Sequence, residues 1–140
     1  FLAIDNSTYQ ISKEQLNFFK EHVASNVPLI LLVHIPMYAP GKSIGFGCGN
    51  PDWGASSDRN FELEGRLRWP ESGHSKTTFN FHKAVFSAPN LMGIFSGHIH
   101  RFSLESLKGK PQIVSDDNAS GGYLDVNFMP LEPKDRSLIF

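Results

Sequence analysis

Cys48 is the chain's one cysteine, so an internal disulfide and a zinc cage built from thiolates are both excluded. Long apolar runs are missing as well, and none approaches the ~18 residues that suggest a membrane span. Neither sign of charge dominates: 13 Lys and Arg stand against 14 Asp and Glu, for a formal net charge of −1. With no basic run, nothing points to nucleic acid or to an anionic membrane surface. The glycine-rich stretch Gly45-Phe46-Gly47-Cys48-Gly49 is not a G-x-G-x-x-G. No Walker-type lysine follows it, so a nucleotide-binding loop is not supported.

What is present describes a globular domain. Hydrophobic residues make up 40% and charged residues 19% of 140 residues, a composition and length that suit one domain over residues 1–140 with a sizeable core. The chain opens at Phe1 directly into Phe1-Leu2-Ala3-Ile4-Asp5, a strand-like run with no leader. An upstream portion, missing, cleaved or supplied separately, is expected, and any targeting signal would lie there. The compartment therefore stays open, an extracytoplasmic one included. Two glycosylation-type triplets, Asn6-Ser7-Thr8 and Asn118-Ala119-Ser120, carry little weight because such triplets are common by chance.

After the first strand, Ser12 with Gln15 three residues on forms a capping box. Leu16, Phe19 and Val23 then give a helix its core face. Pro28 to Val33 is apolar on both faces and suits the centre of a covered sheet. It stops at His34-Ile35-Pro36. Residues 37–75, rich in glycine and proline, read as a long loop of the functional or mobile kind. A second helix is expected from about Ser75 to Ala88, with Phe81, Ala84 and Val85 inward. Leu91 to Ser96 makes another buried strand, followed at once by Gly97-His98-Ile99-His100. From Phe102 the pattern has period two, with a turn at Lys108-Gly109 and a last strand through Leu124, Val126 and Phe128. The sum is α/β.

The chemistry lies in the histidines. Two buried strands end in histidine, and ligands of helix-wound sheets gather outside the carboxyl ends of the strands. If these strands are parallel neighbours, His34 and His98 converge. His98 and His100, two apart, project to one side if the backbone is extended. Gly97 would supply unusual backbone angles or a close approach. Imidazole is a common ligand of zinc, iron and copper, so the three histidines form a candidate metal site. A lone histidine at a strand end is more often hydrogen-bonded or exposed, and the Gly-His-x-His unit carries more of this argument than His34. His22 suits a surface position, and His82, in the second helix, a structural or solvated one. His74, Tyr38 and Arg101 are candidates for contact with substrate, although an arginine in such a place more often pairs with an acidic side chain. Cys48 has no identifiable base beside it.

The strand into Val33-His34-Ile35-Pro36, followed after a helix by Phe95-Ser96-Gly97-His98-Ile99-His100, resembles the calcineurin-like metallophosphoesterases. Leu2-Ala3-Ile4-Asp5 and the helix at Gln15-Leu16 are also similar to segments common there. The likeness spans most of residues 1–128. It implies part of a four-layer α/β/β/α sandwich with two mixed sheets and a centre of two metal ions, manganese, iron or zinc. In that resemblance His34 and His98 hold one metal and His100 the other, and a metal-bridged hydroxide attacks phosphorus in a phosphate ester. The family's Asp-x-His, Gly-Asp-x-x-Asp and Gly-Asn-His motifs do not occur here, so the chain looks like a C-terminal half. Its partner would be the missing N-terminal half of the same domain, and alone it is expected to be inactive. Two other functions fit the residues: a self-contained mononuclear three-histidine hydrolase, and a non-catalytic binding module using the long loop.

Overall fold

The computed structural model describes residues 1–8, 10–37, 75–98, 102–116 and 121–129. Tyr38, His74, His100, Arg101, Cys48, the triplet at Asn118 and all but the first and last residues of the 37–75 loop lie outside the described residues.

Five strands form one mixed sheet: β1 (Leu2–Ile4), β2 (Leu29–Val33), β3 (Leu91–Ser96), β4 (Ser103–Leu107) and β5 (Lys110–Val114). Their order is β1-β2-β3-β5-β4. The contacts β1–β2, β2–β3 and β3–β5 are parallel, and only β4 runs antiparallel, against β5. Two helices, α1 (Lys13–Ala24) and α2 (Lys76–Ser87), make the crossovers β1-α1-β2 and β2-α2-β3. Successive crossovers in one direction along a sheet, with the usual right hand, put both helices on the same face. The chain is α/β in class, as its residues indicated.

The local signals act as expected. The Gln15 amide donates to Ser12 Oγ at 3.2 Å, and the Ser12 amide donates to Gln15 Oε1 at 2.8 Å, which completes the capping box of α1. Ser75 caps α2, its Oγ accepting from the Thr78 amide at 3.1 Å. Phe19 of α1 and Phe81 of α2 are fully buried and meet edge-to-face with centroids 5.2 Å apart. Beneath them lie Leu2, Ile4, Leu31, Val33 and Ile94, all buried on the helix side of the sheet. Between β4 and β5 the chain reverses through Lys108 at φ 51° and Gly109 at φ 73°. Positive φ at both central residues is the type I′ turn whose twist matches paired strands.

Alternation sends the other half of each strand to the opposite face. There Ile30, Leu32, Phe95 and Ile113 are only half-buried, and Leu104 is 62% exposed. A groove of about 660 Å³ runs along this face between Phe1, Leu32, Phe95 and the late residues Leu124 and Val126. β4 has its expected period, with Ser103 buried while Phe102 and Leu104 face out. One sequence expectation needs correction here. Leu124 to Phe128 is not a strand: it pairs with no strand among the described residues, and Phe128 meets Phe1 edge-to-face at 5.5 Å.

Candidate metal centre

The carboxyl ends of the parallel strands put four short segments on one edge. Asp5-Asn6 follows β1, His34 follows β2, Gly97-His98 follows β3 and Ser115 follows β5. Two main-chain bonds tie these segments together. The Gly97 amide donates to the His34 carbonyl at 3.0 Å, and the Ser115 amide donates to the Ser96 carbonyl at 2.8 Å. Parallel neighbours β2 and β3 thus meet the condition for convergence, and the two imidazoles do converge. His98 Nδ1 lies 3.2 Å from His34 Nε2, with ring centroids 5.0 Å apart.

That separation has two chemical meanings. In a neutral pair, one nitrogen carries the proton and the other accepts it, with the tautomer free to be either. It is also the chord of two metal–nitrogen bonds of about 2.0–2.1 Å meeting at about 100°, as in the coordination of one zinc-like ion. The pair therefore fits two ligands of one metal. Among the described residues no group of three or more His, Cys, Asp or Glu is gathered to hold an ion; His100, the third expected ligand, lies outside them.

The two histidines differ in setting. His34 is exposed, whereas His98 is 6% exposed and adopts φ 70°. A bulky L-residue in the left-handed region is uncommon, and such outliers gather at functional sites. The extended backbone expected from His98 onward therefore fails at its first residue. The unusual backbone angle expected of Gly97 is found one residue later, at His98. At Gly97 itself a Cβ would meet Ser115 Oγ at 3.6 Å, an ordinary contact.

The residues that hold this edge were not recognised in the sequence. Asn6 is fully buried. Its Oδ1 accepts from the Ile35 amide at 2.9 Å, and its Nδ2 donates to the Ile35 carbonyl at 2.9 Å. In the folded chain the Asn6 carboxamide is therefore engaged and out of reach of solvent. Gln112, on β5 and 2% exposed, accepts from the Met37 amide at 2.7 Å through Oε1. The signal was available: an amide side chain directly after one strand, and another within the apolar strand Lys110-Pro111-Gln112-Ile113-Val114. A polar side chain in such a place must find a partner.

Asp5 supplies negative charge at the same edge. Hydrogen bonding from the Ser7 side chain and then its amide, the latter at 2.9 Å, holds the carboxyl below its ordinary value. Burial opposes this, and the charge of His34 adds to the lowering. Of the other histidines, His22 bonds the Phe18 carbonyl through Nδ1 at 2.9 Å, and His82 packs on Phe86 at 4.8 Å. Both are half-buried helix residues away from the pair. Ser96 Oγ is buried beside the site with no hydrogen-bond partner among the described residues.

No protein-family model matches the chain, and no curated protein matches it. No helix among the described residues is long and apolar enough to cross a membrane.

Proposed function

We propose that the chain is the C-terminal part of a metal-dependent phosphate-ester hydrolase and contributes histidine ligands to its metal centre. The observation that carries this reading is the 3.2 Å approach of His98 Nδ1 to His34 Nε2 at the carboxyl edge of the sheet. His34 and His98 share one metal, and His100 serves a second. Manganese, iron or zinc ions held there would supply Lewis-acid polarisation of the phosphoryl group and lower the pKa of bound water.

The chain's own residues have defined tasks. His34 and His98 present neutral imidazole lone pairs, which requires their protons to sit on His34 Nδ1 and His98 Nε2. Asp5 keeps negative charge beside His34 through its bonds with Ser7. Arg101, Tyr38 and His74, which lie outside the described residues, would serve to contact the phosphate ester or its leaving group. The carboxylates that such a centre also needs would come from the N-terminal half of the same domain. That half completes a four-layer sandwich by covering the half-open apolar face around Leu32, Phe95 and Ile113. Burying such a face stabilises the joined domain at about 25 cal/mol per Å² of apolar surface.

The test joins the chain to its upstream half and measures hydrolysis of p-nitrophenyl phosphate and bis(p-nitrophenyl) phosphate with manganese or zinc. The joined protein is expected to cleave at least one of them, to stop on chelation, and to lose activity in His34→Ala and His98→Ala. A joined protein with no metal-dependent cleavage of either ester sinks the reading.

A further inference from the structure

The chain leaves β2 at Val33, and its next residues do not drift into solvent. Ile35 and Met37 are fully buried, although His34 between Val33 and Ile35 is exposed. Two buried carboxamides hold this stretch. Asn6 takes both the amide and the carbonyl of Ile35, each at 2.9 Å. A side-chain carboxamide that bonds both the N–H and the C=O of one residue supplies the acceptor and the donor that a neighbouring strand would offer it. β1 and β2 pair up to Ile4 and Val33, and Asn6 extends that pairing two residues beyond the strand. Gln112 reaches Met37 from the other side of the sheet. The His34 carbonyl is meanwhile held by the Gly97 amide at 3.0 Å.

His34 is thereby fixed from both sides, by β1 through Asn6 and by β3 through Gly97. Its neighbour in that second bond is next in chain to His98. We infer that Asn6 is a positioning residue: through Ile35 it sets the His34 imidazole against that of His98, and the pair loses its register without it. The geometry needs no metal, but its consequence for ion binding rests on the function proposed above.

The test has two readouts, so that failure of one idea is distinguishable from failure of the other. Asn6→Asp keeps the shape and the acceptor for the Ile35 amide but sets a carboxylate oxygen against the Ile35 carbonyl. In the wild-type chain, long-range ¹⁵N–¹H spectra are expected to show His34 Nε2 and His98 Nδ1 as a donor–acceptor couple. In folded Asn6→Asp, both rings are expected to return to the averaged tautomers of free imidazole while the amide signals of α1 and α2 stay in place. An unchanged imidazole signature in the folded variant overturns the inference. Should the variant not fold, hydrogen exchange of the wild-type Ile35 amide decides instead: strong protection is expected, and exchange at the rate of an open loop overturns it. The second readout is Co²⁺ binding followed by visible absorption. Loss of an outer partner that orients a ligand typically weakens metal binding about 10–100-fold, and Asn6→Asp is expected in that range. If the wild-type chain takes up no Co²⁺, the same titration is made on the chain joined to its N-terminal half; no uptake there sinks the metal reading, and the imidazole result still stands or falls by itself.

Discussion

The positive φ of His98 allows the strain at the site to be weighed separately from its chemistry. Consider His98→Gly against His98→Ala. Both remove the imidazole and its 3.2 Å contact with His34, so that loss cancels in the comparison. At φ 70° an L-residue is disfavoured by about 1–2 kcal/mol, because its Cβ crowds the following carbonyl oxygen. Glycine escapes this, but its freer unfolded chain costs roughly 0.5–1 kcal/mol relative to alanine. The difference leaves His98→Gly more stable than His98→Ala by roughly 0.5–1 kcal/mol. In urea unfolding this is a higher midpoint at unchanged slope, and in melting about 2–4 °C. His34, which has no positive φ, is the control: there the order should invert, with His34→Ala the more stable. An alanine variant at position 98 that equals or exceeds the glycine variant refutes the claim that the backbone is strained at that position.

Four further outcomes are expected of the same structure. Phe19→Ala empties a fully buried site against Phe81 and is expected to cost about 3–5 kcal/mol in denaturant unfolding. Ser12→Ala breaks the capping box of α1 and should cost about 1 kcal/mol, with the loss confined to unfolding free energy and no change in the His34–His98 signals. NMR titration should place the Asp5 carboxyl below its ordinary 3.8, and Ser7→Ala should raise it more than His34→Ala does, since Ser7 is the larger cause. The carboxyls of Asp5 and Glu14 are both lowered on folding, so their contribution is present above the unfolded value and lost as pH falls through the folded one. Acid unfolding should therefore steepen below about pH 4, and a stability flat down to pH 2 would contradict it.

The sequence was informative wherever local chemistry decides the outcome. Ser12 with Gln15, the unbroken run to Val33, the strand Leu91–Ser96 and the Lys108-Gly109 turn are each fixed by neighbours within a few residues. The convergence of His34 and His98 was legible too, because parallel strands that end in histidine bring both to one edge. The misses arise where a partner far along the chain decides. Leu124 to Phe128 has the alternation of a strand, yet a strand also needs a main-chain partner, and sequence periodicity cannot supply one. The bracing role of Asn6 is not legible in the sequence, because its partner, Ile35, is 29 residues away.

The arrangement also constrains how ligands could be taken up. A hydrogen bond between His34 Nε2 and His98 Nδ1 needs a proton on one of these nitrogens, whereas shared coordination needs both of them bare. The two states therefore exclude each other, and passing from the first to the second moves a single proton to the far nitrogen of one ring. A neutral hydrogen bond contributes only about 0.5–1.5 kcal/mol net, a small barrier against the affinity of two oriented imidazoles. What would be costly is bringing the rings together from an unfixed backbone. That cost is met on folding, by the Gly97–His34 bond, the Asn6–Ile35 pair and the left-handed turn at His98. An edge held from both neighbouring strands, with positive φ at the residue whose ring faces the other, is the preorganised backbone that the proposed site would require.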